Sequence, residues 1–379
     1  MQLRLEETSV IYRNPLPGHQ AVAATHPFVC PLGRDELLAS YKVGSAQYAR
    51  DNMVHLSRSL DGGLTWQHQG AFRDRAKDAR PYQYSSGQLT LLRAGTLLMN
   101  NWRCDRSNPN TLYTCPKTGG SLPLELAVYR SHDGGRTWSE PIVGLTPDPE
   151  PGWIHAWGGP VIELDDGRWM QLAEPWLAYG STRPVDVYTY ALFSSDEGRT
   201  WGEKTIIANG LTQDRGYSHG HIVRRQDGRF TAVYWTMNAA MSKFHGLAMN
   251  ASLDSTGKKW TGPQMLNIPG QSSYPVILDE RRMAVIYSER DSKRPGIRVV
   301  LSDDGGRTWG VDEQVTVWDA YGRESLGVPP TDTYPGSHDV IAYGAPHLAR
   351  VDEQTLIASW WCTQSADTHV RFARLRVEG

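Results

Sequence analysis

Only four of the 379 residues are cysteine, Cys30, Cys104, Cys115 and Cys362, and no Cys-x-x-Cys occurs among them. That excludes the usual zinc spacings and a scaffold built on disulfides. Cys104 and Cys115 flank one Pro/Asn/Gly-rich loop and would be bridged only in an oxidising setting. Neither sign of charge dominates: 39 Lys and Arg stand against 41 Asp and Glu, a net charge of −2. This removes the electrostatic case for a nucleic-acid partner. No apolar run is long enough to span a bilayer, so no membrane partner is expected. The opening Met1–Glu7 lacks the apolar core of a secretion signal, which gives the expectation of a cytoplasmic protein. Phenylalanine is scarce as well, at 6, beside 14 tryptophans and 17 tyrosines. Trp and Tyr carry a polar handle, which suits wet sites lined by rings as well as sheet packing. A sustained helical period is missing throughout.

What is present is repetition. The phrase Ser-x-Asp-x-Gly-x-Thr-Trp occurs at 59–66, 131–138, 194–201 and 302–309, with a worn fifth copy running from Ser252 through Asp254 and Gly257 to Trp260. Asp beside Gly builds a tight turn, Ser and Thr hydroxyls close it, and the Trp opens the next strand with a large apolar ring. Each copy therefore reads as a self-capped turn on the outside of the molecule, with a structural rather than a catalytic role.

A second repeat lies between these boxes. Pro27, Gln88, Pro160, His221, Pro275 and Pro346 each open a short β-rich run, followed by a turn and a second apolar run such as Arg229–Trp235. Six such hairpins, five of them followed by a box, predict an all-β chain of six four-stranded blades, a six-bladed β-propeller. The sixth unit has no box, so its fourth strand is expected from the N-terminus, with Leu3–Ile11 lying beside Thr368–Val377 and closing the last blade. The repeat runs from end to end and argues for one domain, 1–379.

In a propeller the first two strands of each blade meet at one mouth of the central funnel, where ligands collect. Residues just before each anchor and at the end of each second strand should ring that mouth. They include His26, Trp157, His219, His221, Tyr274 and Tyr343 in the first group, and Arg103, Glu174, Arg290 and Trp361 in the second. Asp51, in the loop after a second strand, and His155, just upstream of an anchor, join them. Histidines, carboxylates and rings in one mouth are the parts for acid–base work on a sugar. His219 and His221 share a strand face, but no third ligand accompanies them, so neither a metal nor another cofactor is expected.

The boxes and the blade count resemble the sialidase superfamily, the Asp-box or BNR-repeat proteins, along essentially the whole chain. Sialidases grip the substrate carboxylate with three arginines. At the corresponding places this chain reads Thr25-His26-Pro27, Tyr234-Trp235-Thr236 and Ser272-Ser273-Tyr274-Pro275, with none of the three. The resemblance does place Asp51 where the acid/base aspartate falls, and Tyr343 close to the nucleophilic tyrosine. It implies a glycoside hydrolase that removes a terminal sugar, acidic or neutral, from an oligosaccharide or polysaccharide without being a typical sialidase. Asp51, Glu174, His219 and Tyr343 are the catalytic candidates. His26, Arg103, His155, Trp157, His221, Tyr274, Arg290 and Trp361 are the substrate-binding candidates. Two alternatives stand beside it: a lyase cleaving next to a uronate by His/Tyr-assisted β-elimination, and a glycan-binding propeller without catalysis.

Overall fold

Short strands buried on both faces dominate. Leu37–Gly44 and Phe230–Met237 are buried at every position, as strands sandwiched between neighbouring sheets must be. The computed structural model describes residues 2–184, 186–210, 213–238, 243–290, 294–321 and 342–378. Among them no α-helix occurs, and the 3₁₀ turns include Arg75–Lys77 and Val311–Glu313. No helix among the described residues is long and apolar enough to cross a membrane.

The strands form five antiparallel-based sheets. One holds Trp153–Glu163, Trp169–Leu177, Thr189–Ser194 and Gly202–Ala208 in chain order, and two more repeat that order from Gly216–Arg224 to Gln264–Met265 and from Ser273–Ile277 to Val315–Asp319. A five-stranded sheet is built on Leu97–Asp105, which pairs with both Tyr82–Tyr84 and Gln88–Leu91 on one side and with Glu125–Ser131 on the other. The last sheet has eight strands. In it Ala23–Pro31 and its successors join Asp367–Glu378 through a single parallel bridge, Ala23 to Thr368. Gln2–Tyr12 pairs antiparallel with Asp367–Glu378, with Leu3 opposite Val377. Where separate four-stranded sheets were expected, the hydrogen bonding thus gives five sheets, because that one bridge fuses the first unit to the last.

The inner strands Ala23–Pro31, Gln88–Leu91, Trp153–Glu163, Gly216–Arg224, Ser273–Ile277 and Tyr343–Arg350 touch in that order, and the last touches the first. The sheets stand around an axis as in a β-propeller, without a continuous hydrogen-bonded sheet running round it. All four cysteines are buried and none is joined in a disulfide, Cys104 and Cys115 included.

Each box is the turn its sequence specifies. Ser59 Oγ donates to Asp61 Oδ1 at 2.7 Å and accepts the Gly63 N–H at 2.8 Å. Asp61 also accepts from Thr65 N and Thr65 Oγ1, at 3.0 and 2.6 Å. The same Ser-to-Gly bond recurs at Gly135, Gly198 and Gly306, at 2.7, 2.8 and 2.8 Å. Glycine is required at Gly63, where φ is +100° and a Cβ would stand 2.2 Å from the Phe372 ring. That ring belongs to the neighbouring unit, and Trp66 packs edge-on against it at 5.5 Å. The box therefore closes its own turn and also seats one unit against the next. It sits at the Ser59 end of Met53–Ser59, opposite Leu37, and about 20 Å along the strand from the end where Met53 pairs with Val43.

Hydrogen bonds from Thr65 hold the Asp61 carboxyl down at about 2. Its folded pKa lies below its unfolded one, so its stabilisation is full above about pH 4 and is lost as pH falls towards 2. Asp61→Ala should lower stability by about 1–2 kcal/mol in neutral denaturant melts, with turnover by the folded fraction unchanged. An unchanged melt, or lost turnover at an unchanged melting temperature, would contradict the assignment.

Candidate functional site

Four of the six inner strands share one irregularity. Register slips between Thr25 and Phe28, Gly158 and Ile162, Ser218 and His221, and Gly344 and His347, always just inside the axial mouth. Within each bulge one residue turns left-handed: His26 at φ +54°, Gly159 at +69°, His219 at +48° and Ala345 at +44°. A non-glycine residue there costs on the order of 1 kcal/mol, and bulges re-aim side chains beside functional sites. The slip also corrects the alignment of the repeat. Gly220, not His221, corresponds to Pro27, Pro160 and Pro346, so His221 corresponds to Phe28 and His347.

These bulges open into one cleft on the axis. Eight of the twelve candidates line it: His26, Trp157, Glu174, His219, His221, Tyr274, Arg290 and Trp361. Glu174 is buried, at 4 % exposure, yet it reaches the cleft. Ser218 Oγ donates to its Oε2 at 2.6 Å and the His219 backbone N–H donates to its Oε1 at 2.7 Å. Both donors come from the bulge, so the left-handed turn at His219 is what aims that N–H at the carboxylate. The His219 imidazole lies over the Trp235 indole, ring centres 5.7 Å apart, and His26 stacks over Trp361 at 6.3 Å. Arg290 donates to Gln271 Oε1 at 2.5 Å and to the Tyr343 carbonyl at 2.9 Å, while still facing the cleft.

The floor is a ring cluster at the axis. Tyr274 lies 4.3 Å from His347 and 4.6 Å from His221, and Phe28 lies 3.7 Å from His347. Burial, and then the neighbouring histidine, push His221 down to about 3 and His347 well below its ordinary value. Both are neutral spacers at physiological pH, and the Val29 N–H donates to His347 Nδ1 at 3.3 Å, which leaves the proton on Nε2.

Four candidates do not line the cleft, each for a physical reason. Arg103 follows Trp102, which does, and successive strand residues face opposite ways. It lies over the Tyr82 ring at 3.8 Å and pairs with Glu125 at 3.3 Å. His155 stands on the same strand as the cleft-lining Ala156 and Trp157, but partners outside the cleft hold both of its ring nitrogens. Its Nε2 donates to the Pro147 carbonyl at 2.8 Å and its Nδ1 accepts from the Tyr190 hydroxyl. Asp51 is exposed and folded back onto its own loop, accepting from Ser45 N and Oγ at 3.1 and 3.0 Å, while Gln47 and Tyr48 of that loop reach the cleft instead. Tyr343 is buried in the core, and its hydroxyl donates to the Glu289 carbonyl at 2.6 Å. His338, which the sequence sets a few residues upstream of the Pro346 anchor, lies outside the described residues.

Sequence reasoning passed over His347, and it set Lys42 at the mouth by its place in the repeat without giving it a role. His347 was legible only through the bulge register, which sets Pro346-His347 beside Pro27-Phe28. Lys42 ends a second strand, the right place in the repeat, yet a lone lysine carries no pattern. It lines the cleft while 3 % exposed, its Nζ 5.0 Å from the Tyr48 ring centre, and burial lowers it to about 7. Among the described residues Glu174 is the one carboxylate lining the cleft, and no three His, Cys, Asp or Glu gather as metal ligands.

Two predictions follow from burial. Lys42 binds its proton more weakly folded than unfolded, so wild-type stability should climb between about pH 7 and pH 10. Lys42→Met should be more stable by on the order of 2 kcal/mol at pH 7 or below, with the gain shrinking towards pH 10. An equal gain at every pH would contradict a buried, titrating ammonium. His221→Phe should flatten the loss of stability on acidification from about pH 6 towards pH 3, because the unfolded imidazole takes up a proton in that window and the buried one resists it. Acid melts that superimpose on wild type would refute this.

Comparison with known proteins agrees with the geometry. The BNR repeat-like domain matches residues 33–325. A sialidase of Micromonospora viridifaciens is 25% identical over 331 residues, covering 81% of this chain and 48% of its own. This chain thus spans about half the length of that relative. Among solved structures, a Dyadobacter fermentans protein of unknown function superposes with a TM-score of 0.70 at 19% identity, covering 99% of both chains. An α-L-arabinanase of Penicillium chrysogenum superposes at 0.61 with 14% identity, covering 98% of both.

Proposed function

This chain belongs to the BNR repeat-like family of the sialidase superfamily, and from that premise we propose that it is a carbohydrate-active enzyme, a glycoside hydrolase that removes a terminal, acidic sugar. The observation that carries the reading is Glu174: a buried carboxylate at the mouth of the axial cleft, fixed by two donors and flanked by a left-handed histidine. In this reading the eight-stranded sheet is two blades fused at one bridge, the chain is a single six-bladed propeller, and Gln2–Tyr12 is the last blade's outer strand. The nearby relative named a sialidase and the arabinanase-like fold support carbohydrate chemistry without fixing the sugar.

The roles follow from the donor set. Glu174 takes a proton from the attacking water, and the His219 imidazole, held flat over Trp235, hands one to the leaving oxygen. Lys42 and Arg290 stand where a sugar carboxylate needs cations, replacing the absent arginines. His26 on Trp361 offers a stacking platform for the ring. A second reading, β-elimination at a uronate, is favoured by one fact: Glu174 is the single carboxylate lining the cleft among the described residues, whereas hydrolases of this kind commonly use two. His219 or Tyr274 would then take the C5 proton.

Glu174→Gln should lower kcat by about 100-fold or more on any glycoside the enzyme turns over, and His219→Ala by a similar factor, with melting temperatures within a few degrees of wild type. Reducing-end release without ultraviolet absorbance marks the hydrolase; a new absorbing double bond marks the lyase. Near-normal turnover by Glu174→Gln would remove the carboxylate from the mechanism, and binding without any turnover would make the cleft a lectin-like site.

A further inference from the structure

Glu174 lines two chambers. Beside the axial cleft lies a side chamber that shares Glu174, Trp176, His219 and Trp235 with it. The two differ in chemistry. The axial side presents Lys42, Arg290, His26, Gln47 and Gln88. The side chamber is walled by Trp153, Leu177, Val187 and Met237 together with the shared indoles of Trp176 and Trp235. Its hydroxyls are few. Ser218 Oγ is spent on Glu174, and Thr118 Oγ1 accepts the Gly120 N–H at 3.3 Å. Ser121 is the other hydroxyl on this wall.

From this seam we propose that the side chamber receives an aromatic leaving group, so that the bond cut at Glu174 joins the acidic sugar to an aryl oxygen rather than to a second sugar. A second sugar brings several hydroxyls, and burying them without partners is costly, whereas a phenyl ring buries its whole surface against Trp, Leu, Val and Met. The indoles of Trp153 and Trp176 suit edge or offset packing with such a ring. The chemistry balances: the anomeric C–O bond breaks, the aryl oxygen leaves with a proton, and the hydroxide part of water ends on the anomeric carbon. This inference rests on the hydrolase reading of Glu174 only for the location of the cut; the chamber's preference for a ring is independent of turnover.

The test separates the two. Phenol binding is measured by NMR on the whole chain, wild type and Leu177→Trp, whose larger ring fills the chamber from a half-exposed strand end. Phenol should bind wild type, and at least tenfold more weakly in Leu177→Trp. Val187→Thr, nearly isosteric, guards against misfolding of the first variant and should weaken binding by about threefold. On a matched pair of glycosides of one acidic sugar, the ratio of kcat/KM for the phenyl over the methyl glycoside should fall at least tenfold in Leu177→Trp. No phenol binding, or binding and ratios that ignore both substitutions, would overturn the chamber whatever the enzyme hydrolyses. Phenol binding that responds to Leu177→Trp, with no glycoside turned over, would uphold the chamber and overturn the hydrolase reading instead.

Discussion

Two hydrogen bonds, from Ser218 Oγ and the His219 N–H to the two oxygens of Glu174, organise everything at the axis. They bind the second strand of one sheet to the inner strand of the next, so the carboxylate is held by two units at once. The N–H can point there only because His219 is left-handed inside a bulge, and that strain is tolerated because the surrounding strands fix it. The same bulge lifts the imidazole onto Trp235. A group fixed by two donors and buried among rings has little reorganisation left to do when charge moves beside it, which is the condition for electrostatic catalysis.

The molecule divides its labour between the two ends of its strands. At the outer end the boxes close turns with redundant Ser, Asp and Thr hydrogen bonds and press glycines against the neighbouring unit, as Gly63 does against Phe372. At the axial end the chain spends that stability on left-handed residues and on titratable groups kept from water. Lys42, His221 and His347 would each be easier to keep charged in solvent, and burial lowers all three.

Much of the fold was legible because it is written in repeats. The boxes, the hairpin anchors and the pairing of the first segment with the last all depend on local turn chemistry and strand period, which a sequence carries openly. The fusion of first and last units was not, since one parallel bridge at Ala23 leaves no pattern. The cleft was legible in part. His26, Glu174, His219 and Arg290 were found from their place in the repeat. Arg103 falls outside the cleft because alternation gives that side to Trp102, and His155 because Tyr190 and the Pro147 carbonyl hold its ring, contacts that no repeat position announces. Asp51 and Tyr343 came from family position, and here a serine in the loop and a backbone carbonyl hold them elsewhere. Lys42 had the right place in the repeat but no role, because what sets it apart is burial, which only packing reveals.

Heavy-oxygen water tests the central claim most directly. The enzyme is given an acidic glycoside that it cleaves, in water enriched with oxygen-18, and the products are weighed by mass spectrometry. Hydrolysis at Glu174 predicts one heavy oxygen on the released sugar and none on the leaving group, with the yield abolished in Glu174→Gln. An unlabelled, dehydrated sugar carrying a new double bond would contradict it and assign the cleft to elimination.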